Sequence, residues 1–193
     1  MGAKALSIKG HWLTGVRRVE SPNQDDRPPD TPIELVVIHG ISLPPNAFGG
    51  PHVEQLFTNR LDPSEHPYFA EIAHLRVSAH LFIRRDGELV QFVPFDRRAW
   101  HAGVSSWRGR SRCNDFSIGI ELEGADHIPY TAHQYRQLNR VLALLRRHYP
   151  IRDVVGHSHI APGRKTDPGP AFDWQRVHGA SSELVEPAAE NNR

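Results

Sequence analysis

Cysteine is almost absent from this chain: Cys113 is the only one among 193 residues. An internal disulfide is therefore impossible, and zinc sites built from several thiolates are excluded. Net charge is missing as well. Lys and Arg number 23 against 22 Asp and Glu, so no summed field favours nucleic acid or an anionic membrane as a partner. Nowhere do about 18 apolar residues run together, which excludes a transmembrane helix. The opening MGAKALSIKGHWLTG lacks the apolar core of a signal peptide, and Leu6 spoils a myristoylation pattern. These absences lead us to expect a soluble, cytoplasmic protein. The length suits one domain over 1–193, with its core at about 11–180 and a frayed tail at about 181–193.

Histidine is what the chain has in excess, with 13 residues scattered too widely to be a tag. Their meaning depends on the elements that carry them. ESPNQDDRPPDTP (20–32) reads as a surface loop, and IELVVIH (33–39) as a buried strand ending at His39. Pro51 suits the first turn of a short helix over 51–60. RVSAHLFIRRDGELVQFVP (76–94) is a hairpin turning at Asp86-Gly87, and 99–115 an ordered loop. FSIGIELEG (116–124) alternates, with Ile118, Ile120 and Leu122 on one face and Glu121 and Glu123 on the other.

Thr131 and Gln134 form a capping-box pattern ahead of a helix that Pro150 stops. Its buried stripe is Tyr135, Leu138, Leu142, Leu145 and Tyr149. RDVVGH is a short strand delivering His157 into GHSHIAPGRKTDPGPAFDW (156–174), where prolines and glycines point to an ordered loop. FDWQRVHG closes the chain as a short helix capped by Asp173. Interleaved strands and helices with one hairpin indicate an α/β protein, a single domain with a mixed central β-sheet flanked by helices.

His39 and His157 both stand at the ends of apolar strands. With Asp167 they make the two-histidine, one-carboxylate set of a hydrolytic zinc site. In an extended segment Lys165 projects to the same side as Asp167. His157 and His159 form a rival ligand pair, and a charged turn with satisfied polar histidines accounts for the same residues without a metal. Either Glu121 or Glu123 suits a general base; the plain reading of both is a solvent-facing strand edge, which fits Glu123 better. His80 reads as a buried core residue and His101 as a cleft residue; the other histidines have surface or packing readings. Nothing near Cys113 supports a nucleophile.

VVIHGISLPP, HLRVSAHLFIRRDGELVQFVPFDRRAWHAG, RCNDFSIGIELEG and GHSHIAPGRKTDPGPAFDW together resemble the cytoplasmic anhydro-N-acetylmuramoyl-L-alanine amidases of bacterial cell-wall recycling. These belong to the zinc amidases related to peptidoglycan recognition proteins and a phage lysozyme. The resemblance runs over about 11–177 in four separated motifs. It implies a peptidoglycan-recognition-protein-like amidase fold and an anhydro-muropeptide substrate. It also implies one Zn2+ held by His39, His157 and Asp167 with an open water position. Glu121 would be the catalytic carboxylate, Lys165 would sit over the scissile carbonyl, and Arg76, Trp100, Arg112 and Asn114 would contact substrate. Gly40 stands where these enzymes commonly have Asn, which would loosen the loop at the site mouth. His159 stands where Asp is common, and either competes for the metal or points to solvent. Two alternatives differ in function: a muropeptide-binding module without turnover, or an amidase acting on polymeric peptidoglycan.

Overall fold

The structure, a computed structural model, describes residues 6–185. Six strands build the central sheet: β1 (Arg17–Arg18), β2 (Leu35–Ile41), β3 (Leu81–Ile83), β4 (Leu89–Gln91), β5 (Ser117–Glu123) and β6 (Asp153–Gly156). Their order is β6-β2-β5-β3-β4-β1. All neighbours are parallel except β3 and β4, whose antiparallel hairpin pairs Leu81 with Gln91 and Ile83 with Leu89. The turn at Asp86-Gly87 is as the sequence predicts, with Gly87 at φ 91, open to glycine at little cost.

Alternation along β5 assigns the two faces of the sheet. Val36, Ile38, Ile118, Ile120 and Leu122 pack against α3 (Ala132–His148) in one apolar cluster. Thr131 caps α3 as expected: its hydroxyl accepts from Gln134 N–H at 3.2 Å, and the Gln134 amide oxygen accepts from Thr131 N–H at 3.0 Å. The same Gln134 donates to the carbonyls of Ile83 and Glu123, tying the helix to β3 and β5. Tyr135, Leu138, Leu142 and Leu145 are buried in the expected stripe, while Tyr149 is half-buried at its end. The opposite face carries Phe82 and Val90 against α1 (His52–Phe57) and α2 (Pro67–Ile72). Among the described residues no helix is long and apolar enough to cross a membrane.

Three expectations need correcting. Residues 20–32 are not simply a surface loop: Gln24–Asp26 pairs with Arg97–Ala99, and Ser21 and Asn23 are buried. Their polar side chains replace absent backbone partners, Ser21 donating to Phe57 O and Asn23 to Val77 O. The loop 99–115 contains a small hairpin, Ser106–Trp107 with Arg110–Ser111, before a 3-10 turn at Cys113–Phe116. Beyond Ser181 the chain forms a helical turn, Ser182–Val185, with Leu184 against the core; the rest of the expected frayed tail, 186–193, lies outside the described residues.

His80 is fully buried, as its sequence context implies. Its Nδ1 accepts from Gly119 N–H at 3.0 Å, and its Nε2 lies 2.9 Å from Arg97 O. Burial, reinforced by the neighbouring Arg27 charge, pushes its pKa down from 6.5 to about 3. As pH falls below 6.5 the unfolded chain gains a proton that folded His80 refuses until about 3, so stability falls through that window. The contribution is about 1.4 kcal/mol per pH unit. Urea unfolding across the window should show His80→Asn, which keeps an acceptor for Gly119, with a pH slope smaller by one proton. A core truncation, Leu138→Ala, should cost about 2–5 kcal/mol in the same assay.

Candidate active site

Register brings the site together. Glu121 on β5 pairs with His39 on β2, and Gly156 on β6 pairs with Ile38, so His157 follows level with His39. Residues level in a parallel ladder face the same side of the sheet. His157 does not enter a loop, as expected, but opens a helical turn, α4 (His157–Ile160). No proline or glycine falls within those four residues, and His159 Nδ1 accepts from Gly156 N–H at 2.8 Å to cap the turn. His159 thus turns away from His39 and packs on Trp174, neither competing for a metal nor pointing to solvent.

Asp167 arrives from the far end of the Pro/Gly-rich segment. Lys165 N–H donates to Ala161 O at 3.0 Å, Ser158 N–H to Asp167 O at 3.0 Å, and the Tyr130 hydroxyl to Pro168 O at 2.9 Å. Gly40 makes that last contact possible. A Cβ there would lie 2.2 Å from the Tyr130 hydroxyl oxygen, so Gly40, inside β2, tightens the site rather than loosening its mouth.

The donors converge closely. His39 Nδ1 lies 3.0 Å from His157 Nδ1 and 3.2 Å from an Asp167 oxygen, and His157 Nδ1 lies 3.1 Å from Asp167. Two donors on one tetrahedral zinc, with bonds of about 2.0–2.1 Å, stand about 3.3 Å apart. The three residues therefore fit a zinc ion. His157 Nε2 faces Ala102 O at 3.1 Å, a pure acceptor, which places the ring proton on Nε2 and leaves Nδ1 as a lone pair.

Charge in this floor is sparse. Burial pushes His39 down to about 4, against the pull of its Asp167 contact. Burial alone would raise Asp167, but hydrogen bonds to His157 and His39 outweigh it and hold the carboxyl well below the usual range. Glu121 goes the other way. Burial, then the nearby Asp167 charge, raise its pKa well above normal, with Lys165 opposing. One Glu121 oxygen is 4.0 Å from His39 Nδ1, and the other is buried without a hydrogen-bond partner. An orphaned acceptor beside a donor triangle is a further fit to a bound cation. Glu123 is not at a solvent-facing edge either: it is 4 % exposed, accepting from Gly49 N–H and Arg85 N–H. That occupation leaves Glu121 as the available carboxylate.

A cavity of about 430 Å³ opens over the row, lined by His39, Glu121, His157, Lys165 and Asp167, with Tyr68, Ile72, Leu75 and Val77 as an apolar wall. Trp100 lines it too, its indole N–H donating to Asp25 at 3.1 Å. Arg76, Trp100 and Asn114 border an adjoining cavity of about 220 Å³ together with Lys165. Asn114 turns its amide oxygen to the backbone N–H groups of His101 and Ala102. Arg112 borders neither cavity; it pairs with Asp115 at 3.1 Å. Sequence reading gave His101 only a cleft position and overlooked Tyr130, since their contacts join segments far apart in the chain.

A family model described as N-acetylmuramoyl-L-alanine amidase matches residues 29–170. The 1,6-anhydro-N-acetylmuramyl-L-alanine amidase AmpD of Escherichia coli (strain K12) is 64% identical over 173 residues, 89% of this chain and 94% of that protein. A crystal structure of a Se-Met AmpD derivative superposes with TM-score 0.86 at 60% identity, covering 93% of this chain and 99% of the other. The E. coli amidase AmiD, in complex with anhydro-N-acetylmuramic acid-L-Ala-D-gamma-Glu-L-Lys, gives 0.54 at 29% identity, covering 90% and 65%.

Gly119 supplies the test of this geometry. A Cβ there would stand 2.4 to 2.7 Å from three His101 ring atoms. Gly119→Ala should therefore displace the His101 ring and cost about 1–3 kcal/mol by urea unfolding, as overpacking typically does. Parent-like stability with unmoved His101 ring resonances would refute the tight seat.

Proposed function

The chain belongs to the N-acetylmuramoyl-L-alanine amidase family, and on that premise we propose a zinc-dependent hydrolysis in the cytoplasmic recycling of peptidoglycan. The bond cut joins the lactyl group of 1,6-anhydro-N-acetylmuramic acid to the L-alanine of a stem peptide. The observation that carries this reading is the meeting, in one cavity, of the three-donor triangle with a buried, partnerless Glu121 oxygen. The substrate follows the names of the relatives and the muropeptide bound by AmiD.

Zinc held by His39, His157 and Asp167 would supply Lewis acidity, which polarises a carbonyl and acidifies water. Glu121 accepts the proton of the attacking water and passes it to the departing alanine nitrogen. Burial raises its proton affinity, which strengthens it as a base, while a cation held beside it and the Lys165 charge would favour the ionised form the role requires. Asp167 does not compete for that role: its contacts with His39 and His157 hold it ionised. The Lys165 ammonium stabilises charge developing on the carbonyl oxygen. The apolar wall excludes water from the reacting amide, and Trp100, braced by Asp25, offers a flat face to the sugar or peptide. In this reading Arg76, on the adjoining cavity with Asn114, meets stem-peptide carboxylates, whereas Arg112, paired with Asp115, would reach substrate only by leaving that partner. A binding module without turnover has no need of Glu121 in this position.

Anhydromuramyl-tripeptide incubated with zinc-loaded protein should yield free tripeptide and anhydro sugar by mass spectrometry, and a chelator should abolish both. Intact substrate in both samples would sink the reading. Glu121→Gln and Lys165→Ala should each keep zinc and lower turnover by about 10²–10³-fold. Equal activity in either variant would remove that residue from the mechanism.

A further inference from the structure

The two histidine donors are backed differently. His157 Nε2 meets a backbone carbonyl, Ala102 O, which can only accept. His39 Nε2 instead meets a second imidazole, His101 Nδ1, at 2.9 Å, and His101 Nε2 lies 3.1 Å from the Ser117 hydroxyl. Imidazole and hydroxyl can each donate or accept. The chain His39–His101–Ser117 therefore has two self-consistent arrangements. In one, the protons point towards His39, whose Nδ1 then carries a hydrogen facing Asp167 at 3.2 Å. In the other they point towards Ser117, and His39 Nδ1 is a lone pair. Only the second presents three lone pairs to one cation.

The backing is built into the fold. Gly119 leaves room for the His101 ring, since any Cβ there would collide with it. One Asn114 oxygen accepts from His101 N–H at 3.2 Å and Ala102 N–H at 2.8 Å. Residues 101 and 102 thus form a single strap behind both histidine ligands, one through a ring and the other through a carbonyl. We infer that His101, backed by Ser117, is a positioning residue that holds His39 in its Nε2-protonated tautomer with Nδ1 turned to the metal. The inference rests on His39 being a ligand, as proposed above. It makes the outer contacts of the two ligands a shared device, so that the strap and the metal stabilise the same ring orientations.

Substitutions that mimic one ring nitrogen at a time separate this role from packing. The amide oxygen of His101→Asn falls where Nδ1 stood and accepts from His39. In His101→Gln the amide reaches towards Ser117 and offers His39 nothing. Zinc affinity, measured by chelator competition on the folded proteins, should be largely kept in His101→Asn and should fall ~10–100-fold in His101→Gln. In imidazole ¹⁵N spectra of the zinc-loaded proteins, the His39 Nε2–H signal should persist in the first and exchange with water in the second. Equal losses in both variants, following their melting temperatures, would overturn the inference. Should His101→Gln fail to fold, Ser117→Ala keeps both rings and removes only the terminal acceptor; it should weaken zinc binding, and an unchanged affinity and spectrum would overturn the inference as well. Unchanged zinc affinity in His39→Ala is a different result: it would sink the ligand assignment itself, and this inference with it.

Discussion

In a parallel ladder, residues level with one another stand about 4.8 Å apart on the same face of the sheet. His157, His39 and Glu121 occupy such a row where β6, β2 and β5 approach their ends. A slip of one residue in either pairing would turn one member of the row into the opposite face. What prevents the slip lies across the sheet. Val36 and Ile38 on β2, Ile118, Ile120 and Leu122 on β5, and Val154 on β6 fit the apolar side of α3. The packing of one face therefore holds the chemistry of the other in register. Asp167 is the one donor outside this scheme, and it is held by Tyr130 and Ser158 rather than by a strand.

The floor built this way is buried and carries little charge. Burial drives His39, His101 and Glu121 towards their neutral forms, while Asp167 keeps its charge through two histidine contacts. Lys165 lies on the cavity wall above. Such an arrangement concentrates charge where a ligand enters and lets each remaining charge act with little screening. Most polar side chains in the floor have partners, and the exception is a Glu121 oxygen. A buried acceptor without a partner costs about 1–3 kcal/mol. The fold tolerates that cost beside the donor triangle, as functional sites commonly do.

Much of this was legible in the chain. The hairpin at Asp86-Gly87, the alternation of β5 and the capped helix α3 depend on turn chemistry and periodicity within a few residues. Errors fell where long-range partners override local composition. Residues 20–32 look like a solvated loop, yet Ser21 and Asn23 are buried because Phe57 and Val77 present carbonyls to them. Glu123 looks like an edge carboxylate, yet it pins the loop at Gly49. His159 looks like a rival ligand, yet a helical turn directs it to Gly156.

The sequence by itself determined the main strands, the hairpin and the capped helix α3, and it supplied two histidines at strand ends, a carboxylate and a lysine in one Pro/Gly-rich segment, and four motifs of an amidase family. Periodicity, capping and turn residues act locally, so a single chain read in order contains them. Only the tertiary structure decided which of the 13 histidines converge, that Glu121 and not Glu123 is left unpaired, and that residues 101 and 102 stand behind both ligands. Those outcomes depend on strand register and on contacts between segments as much as 128 residues apart. Burial and the contacts that oppose it, which together set the charge on each group, exist only once those segments have met.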